Sequence, residues 1–282
     1  METKIKLVAS VIIPAHGRSA LLERAVQSIL NSNSSELAEI IIVDDASETP
    51  IVLNSLRECD QVIRLNKNSG AAVARNVGIQ AAKGEIIYLM DSDDYFIDRD
   101  FVREYDAVGD ETTLYYSNIS SQLYKSDFPL EITTATFFSS IFFRYPNICQ
   151  TSSLYFHRKA NFRFDESLPK HQDWDFVLFS VLMQGKAVER GVGEVFFDRG
   201  DRGSLSRAYA PEKSKVWFNK LILAGKHELI ILKSIEQVKF FLFGRYPKEL
   251  GVLEFYSTSL KLLTFRMASI YEVLKRIYYR NF

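Results

Sequence analysis

Cysteine is scarce in this chain of 282 residues, which has only Cys59 and Cys149, in no metal-ligand or CxxC spacing. A disulfide framework and a structural zinc site are therefore not indicated, and a reducing compartment fits. No uninterrupted apolar run approaches the roughly 18 residues of a membrane-spanning helix, and the N-terminus lacks the apolar core and cleavage site of a signal peptide. These absences predict a cytoplasmic protein, with peripheral contact at the inner face of the plasma membrane left open.

Net charge is also absent, because 35 basic residues balance 35 acidic ones. The total charge therefore indicates neither a nucleic-acid partner nor an acidic tail. The balance is uneven along the chain, since residues 211–282 carry 13 Lys and Arg against 6 Asp and Glu. This region is interpreted as basic amphipathic helices, which fit a bilayer surface, a homo-oligomer interface or a helix that covers the core.

Short apolar runs alternate with helical patterns over the first hundred residues. The runs predict strands at 7–13 (ending at Pro14), 39–43, 61–65 and 85–90. Helices are predicted in SALLERAVQSILNS, in VLNSLREC and in AAVARNVGIQAA, the last ended by Gly84. Such an order is typical of βαβ crossovers and a mostly parallel sheet. Further along, TTLYYSN and SSLYFH predict strands, and WDFVLFSVLMQG predicts a helix ended by Gly185.

Three carboxylates, those of Asp91, Asp93 and Asp94, follow the fourth predicted strand with only Ser92 between them. Like charges this close repel one another, so a bound cation that neutralises them is one explanation and a polar turn that caps the next helix is another. In open α/β sheets, ligands bind beyond the carboxyl ends of strands, where PAHGR, DDAS and NKNSG also fall. We therefore expect a ligand site at this edge. A receiver-type phosphorylation domain also has such acids, but it would begin at its acidic pair, whereas a strand-helix unit comes first here.

The order of these motifs resembles that of family 2 glycosyltransferases, inverting nucleotide-sugar enzymes with the GT-A fold. SVIIPAHGR, EIIIVDDAS and NKNSGAAVARNVGIQAAKGEIIYLMDSDD are similar to the opening strand, the acidic pair and the stretch from the Asn-Gly loop to the DXD motif. RFDESLPKHQDWDF is similar to the segment that supplies the catalytic base. The resemblance implies an α/β fold over residues 1–210, a Rossmann-like, mostly parallel mixed sheet flanked by helices, with a C-terminal helical extension over residues 211–282.

The resemblance also implies roles for individual residues. Asp173 is expected to be the general base, Asp93 a direct ligand of Mn²⁺ or Mg²⁺, and Asp91 either a ribose neighbour or a ligand through water. Trp174 is expected either beneath the acceptor or within the core, and Asp175 is expected on the acceptor side, where it is the second candidate for the base. The nucleotide is expected to contact Pro14, Ala15, His16, Arg18, Asp44, Asp45, Asn68, Gly70, Arg75, Asp91 and Ser92.

Several of these roles have alternatives. Asp45 is expected to accept a hydrogen bond from a uracil ring, whereas Asp44 is expected to hold the turn. Arg75 is open between contact with the diphosphate and pinning its loop to the sheet. Asp94 is interpreted as a helix cap or, less favourably, as a ligand contact.

Two positions depart from the family pattern. Gln172 stands before Asp173 where the family usually has Glu, so an amide must do what a carboxylate does there. Asp201 stands where a His often sits, and it would either replace that metal ligand or leave the contact unmade.

The resemblance therefore predicts a metal-dependent inverting glycosyltransferase. It would move a sugar from a nucleotide-sugar donor, expected to be a UDP-sugar, to a saccharide or lipid-linked saccharide in surface polysaccharide or lipopolysaccharide biosynthesis. A nucleotidyltransferase is one alternative, but its G-x-G-x-x-x-R-type opening loop is absent. A non-catalytic nucleotide-binding module is another, and the presence of Asp93 and Asp173 argues against it.

Overall fold

The computed structural model describes residues 6–17, 19–121, 130–132, 137, 150–198, 213, 216, 217, 219 and 220. The chain divides into two compact units, residues 1–134 with 148–209, and residues 135–147 with 210–282. The predicted helical extension at 211–282 lies almost wholly outside the described residues, so it stays a prediction, as does a boundary at residue 210. Within the described residues, no helix combines the length and the apolar character needed to span a membrane.

One eight-stranded sheet runs through the described part of the first unit. Its strands are β1 (Ala9–Ala15), β2 (Ala38–Asp44), β3 (Gln61–Arg64), β4 (Ile86–Leu89), β5 (Tyr95–Asp98), β6 (Leu114–Ser120), β7 (Leu154–His157) and β8 (Val188–Phe196). Their order is β3-β2-β1-β4-β7-β6-β8-β5. The pairs among β3, β2, β1 and β4 are parallel, as is β6 with β8, and the other pairs are antiparallel. The predicted mixed, mostly parallel sheet is thus confirmed.

Four α-helices accompany the sheet in the described part of the first unit: α1 (Ser19–Leu30), α2 (Ala71–Ala81), α3 (Phe101–Ala107) and α4 (Gln172–Phe179). Helix α1 buries Leu22, Ala25, Val26 and Ile29 completely, as the helical spacing of its apolar residues predicts. Helix α3 begins where the Asp100 side chain accepts hydrogen bonds from the first backbone N–H groups. The flanking helices of the predicted α/β fold are therefore present.

The predicted helix in VLNSLREC is wrong, because this segment consists of turns and irregular backbone. Arg57 and Asp60 explain the difference. The Arg57 backbone N–H and Nε both donate to Asp60, while the Arg57 guanidinium also donates to the carbonyls of Ser35 and Ala38. These bonds tie the segment to the start of β2, where Asp60 also accepts the Ile40 N–H at 2.8 Å. Side-chain bonding to nearby backbone thus competes with helix formation.

Two helix ends also differ from prediction. Helix α2 ends at Ala81 rather than at Gly84, and Gly84 instead lies so close to β1 that a Cβ there would stand 2.2 Å from the Ala9 carbonyl carbon. The predicted helix that should reach Gly185 ends at Phe179 and is followed by a separate 3₁₀ turn at Leu182–Gln184. Gly185, with φ of 70°, ends that 3₁₀ turn.

Strand β1 continues through Pro14, where the sequence predicts its end. The Met90 N–H donates to the Ile12 carbonyl at 3.0 Å, so the backbone polar groups of Ile12 point toward β4. Because alternate residues of a strand point the same way, the backbone polar groups of Pro14 also point toward β4. Strand β4 ends at Leu89, the partner of Ile12. The N–H that proline lacks would therefore point past the end of β4, and the strand loses no ladder bond within β1–β4.

Candidate functional site

The parallel strands bring the predicted loops to one edge of the sheet. The Asp45 N–H donates to the Ala15 carbonyl at 2.8 Å, and the Leu65 N–H donates to the Asp44 carbonyl at 2.8 Å. The ends of β1, β2 and β3 are thus adjacent, and the loop after β4 begins beside β1. This is the edge at which open α/β sheets bind ligands.

Asp44 holds the turn after β2. Its buried carboxylate accepts hydrogen bonds from the Ser47 N–H at 2.8 Å and from Arg64 Nη1 at 2.5 Å. Burial acts to raise the pKa of Asp44, but the Ser47 hydrogen bonds and the Arg64 charge together outweigh it, so the pKa is lowered. This geometry agrees with a turn-holding role, and no ligand contact is needed to explain the carboxylate.

Asp45 organises the loop that precedes α2. One carboxylate oxygen accepts the Ser69 N–H at 2.6 Å and the other accepts the Gly70 N–H at 2.8 Å, while the residue is only 5% exposed. Gly70 has φ of 89°, a conformation that favours glycine. Each oxygen keeps a second lone pair, so a hydrogen bond from a uracil ring stays a prediction beside this structural role.

The remaining residues predicted at the nucleotide are distributed unevenly. Pro14 and Ala15 are buried in β1 and Ser92 is buried in the acidic loop, whereas His16 and Asn68 are exposed. His16 Nδ1 lies 2.8 Å from the Asp45 carbonyl oxygen. Arg18 lies outside the described residues, as does Asp201.

The acidic loop, residues 91–94, is a turn anchored by Ser152. The Asp94 N–H donates to the Asp91 carbonyl at 3.1 Å, and the Asp91 N–H donates to Ser152 Oγ at 3.0 Å. The completely buried Asp94 carboxylate accepts hydrogen bonds from Ser152 Oγ and from the Asp198 N–H. Burial, reinforced by Asp91 and Asp93, raises the pKa of Asp94 well above its usual range. Asp94 thus joins the loop to the chain beyond β8, and Asp100, rather than Asp94, caps the next helix.

Arg24 is a second anchor that the sequence alone does not reveal. Its Nη2 donates to the Asp93 backbone carbonyl at 2.6 Å, and its Nη1 pairs with an Asp198 carboxylate oxygen at 2.8 Å. The guanidinium carbon lies 4.8 Å from the centre of the Tyr95 ring. Arg24 belongs to α1 and is separated from Asp93 by 69 positions, so only the fold brings the two together.

Arg75 connects the acidic loop with α4. Its Nη2 donates to Asp91 Oδ1 at 2.6 Å, and its Nη1 donates to Gln172 Oε1 at 3.1 Å. The guanidinium carbon lies 5.1 Å from the centre of the Phe164 ring. The Arg75 residue is 7% exposed and the Asp91 side chain 26% exposed. Neither partner belongs to a strand, so the pinning of the loop to the sheet and the contact between Arg75 and a diphosphate both stay predictions.

Asp173 lies in the first turn of α4, next to this bridge. Its half-buried carboxylate accepts the Trp174 N–H at 3.0 Å. Desolvation is the main cause that raises the pKa of Asp173 to about 6, with Asp91 adding to it and the Trp174 hydrogen bond and the Arg75 charge opposing it. A carboxylate with this pKa is ionised at neutral pH yet basic enough to accept a proton.

The two residues predicted at the acceptor side differ in exposure. Trp174 is half-buried and stacks on His171, with ring centres 4.3 Å apart and planes 20° apart. Asp175 is 1% exposed, so it presents almost no surface to an acceptor in this structure. Contact between either residue and a sugar stays a prediction, for which Trp174 has the more suitable position.

The acidic loop offers oxygen ligands for a divalent cation. Within the described residues, no group of three or more His, Cys, Asp or Glu side chains could hold a metal. Two carboxylates, those of Asp91 and Asp93, nevertheless match the way Mg²⁺ is usually held in phosphate sites, by one or two carboxylates together with substrate oxygens and water. The residues present therefore fit a cation held jointly with a diphosphate, and Asp94 is already occupied by its own hydrogen bonds.

Comparison with known proteins agrees with this geometry. Residues 10–168, more than half of the chain, match the family model described as Glycosyl transferase family 2. Poly(ribitol-phosphate) beta-N-acetylglucosaminyltransferase TarP of Staphylococcus aureus is 38% identical over 96 residues, 32% of this chain and 29% of that protein. GalNAc(5)-diNAcBac-PP-undecaprenol beta-1,3-glucosyltransferase of Campylobacter jejuni is 40% identical over 91 residues, 30% of this chain and 29% of that protein.

These sequence matches are partial, since they span between 24% and 38% of four curated relatives. A structural comparison reaches further along the chain. The crystal structure of S. aureus TarS residues 1–349 in complex with UDP-GlcNAc aligns with a TM-score of 0.59 at 19% identity, covering 84% of this chain and 73% of that one. At this identity, the likeness shows the shared fold.

Proposed function

Since the chain belongs to glycosyl transferase family 2 and is a glycosyltransferase, we propose that it transfers a sugar, with inversion, from a UDP-sugar to a saccharide or lipid-linked saccharide of a cell-surface polymer. The observation that carries this proposal is the bridge from Asp91 through Arg75 to Gln172, which brings the acidic loop beside the candidate base Asp173. Donor and base are needed at one place for a single displacement. The names of the TarP and Campylobacter relatives support the acceptor class, and the UDP-GlcNAc bound to TarS supports the donor class.

The donor half of the site is built from the loops at the sheet edge. Asp91 and Asp93 would hold Mn²⁺ or Mg²⁺ together with the donor diphosphate, and the bound cation would supply Lewis-acid stabilisation of the leaving group. Arg24 fixes the backbone at Asp93, and Ser152 fixes the backbone at Asp91. The acidic loop is therefore held from two sides, and its carboxylates need little rearrangement when a donor arrives.

The acceptor half depends on Asp173. Its carboxylate accepts the proton of the acceptor hydroxyl while that oxygen attacks the anomeric carbon, and the bond from this carbon to the diphosphate oxygen breaks on the opposite face. One bond forms and one breaks, so the configuration inverts without a covalent intermediate. The stacked His171 and Trp174 lie beside Asp173 and offer an aromatic surface to a sugar ring.

Release of UDP from UDP-GlcNAc, with and without Mn²⁺, tests the proposal together with calorimetric binding of UDP. We expect Asp173→Asn to keep UDP affinity and to lose transfer by about 10²–10⁴-fold, the usual contribution of a general base. Asp93→Ala is expected to abolish the Mn²⁺-dependent part of UDP binding. Asp110→Asn is a matched control, because this carboxylate closes an exposed turn with Thr112 and Thr113.

The outcomes separate this proposal from other functions. A wild-type protein that binds UDP but consumes no UDP-sugar, with any saccharide acceptor offered, would be a binding module. Release of pyrophosphate in place of UDP would indicate nucleotidyl transfer. Full transfer activity in Asp173→Asn would contradict the assignment of the base.

A further inference from the structure

The Arg75 guanidinium joins two elements, but only one of its two partners carries a charge. Asp91 in the acidic loop is a carboxylate, whereas Gln172 at the start of α4 is an amide. Arg75 is almost completely buried, and its Nε has no hydrogen-bond partner among the described residues. Every contact that this side chain does make is therefore important for its position, because a buried guanidinium is costly to leave without partners.

The Gln172 amide has a hydrogen-bond donor on one side and a hydrogen-bond acceptor on the other. Gln172 Oε1 accepts from Arg75 Nη1 at 3.1 Å, and Gln172 Nε2 donates to the Leu168 carbonyl at 2.8 Å. A guanidinium only donates and a carbonyl only accepts, so this orientation of the amide is fixed by its neighbours. A glutamate would keep the first contact, but it would place an oxygen against the Leu168 carbonyl. Of the two isosteric side chains, only glutamine satisfies both neighbours.

The charges of nearby groups also act on Asp173. Arg75 from α2 and Asp91 from the acidic loop both act on the Asp173 carboxylate, in opposite directions. Asp175 is a further acid on the same helix, and the acidic loop adds Asp93. A carboxylate at position 172 would add a negative charge next to Asp173 and would take up part of the Arg75 charge. Both effects would make ionisation of Asp173 harder.

We propose that Gln172 is a positioning residue of the transfer reaction, whose carbonyl oxygen holds α4 against Arg75 and whose neutrality limits the negative charge beside Asp173. This inference rests on the proposed function, because it assigns Gln172 a role through Asp173 in the same site. Gln172 itself contacts no reacting atom. It connects the helix that carries the base with the loop that carries Asp91, over 97 positions of sequence between Arg75 and Gln172.

Two substitutions separate the two roles of the amide. Gln172→Leu removes the acceptor for Arg75 and leaves the charge unchanged, whereas Gln172→Glu keeps an acceptor and adds a charge. Gln184→Leu and Gln184→Glu are matched controls, since exposed Gln184 donates to the Phe179 carbonyl at 3.3 Å just beyond the same helix. Each variant is assayed for UDP release from UDP-GlcNAc over a pH series and for UDP binding by calorimetry, with thermal unfolding as a check on folding.

We expect Gln172→Leu to lower kcat about tenfold or more with UDP affinity changed less than about threefold, because a small displacement of the base is sufficient for such a loss. Gln172→Glu is expected to recover much of this kcat at high pH and to move the acidic limb of kcat/KM upward by about half a pH unit or more. The Gln184 variants should match wild type. A Gln172→Leu protein as active as Gln184→Leu, or an unmoved limb in Gln172→Glu, would overturn the inference.

A measurement without substrate separates this inference from the proposed function. The carboxyl ¹³C signal of Asp173, assigned by its loss in Asp173→Asn, is titrated in wild type, Gln172→Glu and Gln184→Glu. An upward shift of the Asp173 pKa in Gln172→Glu alone supports the charge role even if UDP-GlcNAc is not turned over, whereas equal pKa values in the three proteins contradict it. Absence of turnover in wild type counts against the proposed function only.

Discussion

Two buried arginines of this fold form ion pairs in very different surroundings. Arg99 pairs with Glu104 and donates to Ser117 Oγ at 3.0 Å, and its guanidinium carbon lies 4.2 Å and 5.0 Å from the Phe96 and Tyr88 ring centres. Both partners of this pair are fully enclosed. Arg75 is nearly as buried, but its partner Asp91 is partly exposed and its second partner is a neutral amide. Burial of the arginine alone therefore does not separate these two pairs, whereas the exposure of the partner carboxylate does.

The core pair should show the largest effect on stability. We expect Glu104→Ala to lower the free energy of unfolding by about 3–5 kcal/mol, because it leaves the enclosed Arg99 charge without its partner. Urea unfolding measures this loss, and UDP binding to the protein that remains folded should stay within about twofold of wild type. An unchanged urea midpoint would mean that water reaches Arg99 and that the pair is not closed.

For the Arg75–Asp91 pair, we expect a smaller effect on stability and a larger effect on activity. Arg75→Leu is expected to lower the free energy of unfolding by only about 1–3 kcal/mol, since the partly exposed Asp91 can regain water. The rate of sugar transfer by the folded protein should fall tenfold or more relative to wild type, because α4 and the acidic loop lose their connection. Unfolding and UDP release are measured on the same preparation. A stability loss as large as that of Glu104→Ala, with full activity, would remove the distinction between the two pairs.

Proton uptake by Asp173 gives a third test. Because its pKa is about 6 and the base must be ionised, kcat/KM is expected to fall about tenfold per pH unit below that value. The contribution of Asp173 to the free energy of unfolding changes with pH in the opposite direction to the rate. A carboxyl whose pKa is raised on folding stabilises the folded state most below its unfolded value, near 4, and this contribution is lost as the pH rises through 6. Rate and unfolding measurements between pH 4 and 8, repeated on Asp173→Asn, should show both changes disappear.

An exposed ion pair should show the smallest effect on both stability and activity. Arg103 and Asp98 lie 3.3 Å apart with about half of each side chain exposed. We expect Arg103→Gln to change the free energy of unfolding by less than about 0.5 kcal/mol and to leave UDP release unaltered. A larger stability change would show that exposure is a poor guide to the strength of ion pairs in this protein.

The edge of the sheet could be predicted from the sequence because the position of each loop, directly after an apolar run, is a local pattern. PAHGR, DDAS, NKNSG and DSDD each follow an apolar run, and parallel strands place their carboxyl ends together. The anchors of the site could not be predicted in this way. Arg24 meets Asp93, and Arg75 meets Gln172, only through the crossing of distant elements, and no periodicity pairs residues 69 or 97 positions apart.

Two predictions of helix position were wrong because specific contacts determined the local structure in place of the apolar spacing. The apolar spacing in VLNSLREC favours a helix, yet Arg57 and Asp60 bind the backbone around β2 instead. Gly84 looks like a helix stop, but its lack of a side chain is required by the approach of β1. The spacing of apolar residues predicts which face of a helix or strand is buried. The contacts of Arg57, Asp60 and Gly84 depend instead on the residues that the fold brings next to them.

Pro14 has a consequence for the point at which the pairing of β1 with β4 ends. In the parallel ladder, the rung after Ile12 and Leu89 would need an N–H at position 14 to bond the carbonyl of Met90. A proline cannot supply it. One hydrogen bond that would extend the pairing of β1 with β4 is therefore missing at Pro14, and β4 ends at Leu89, two residues before Asp91.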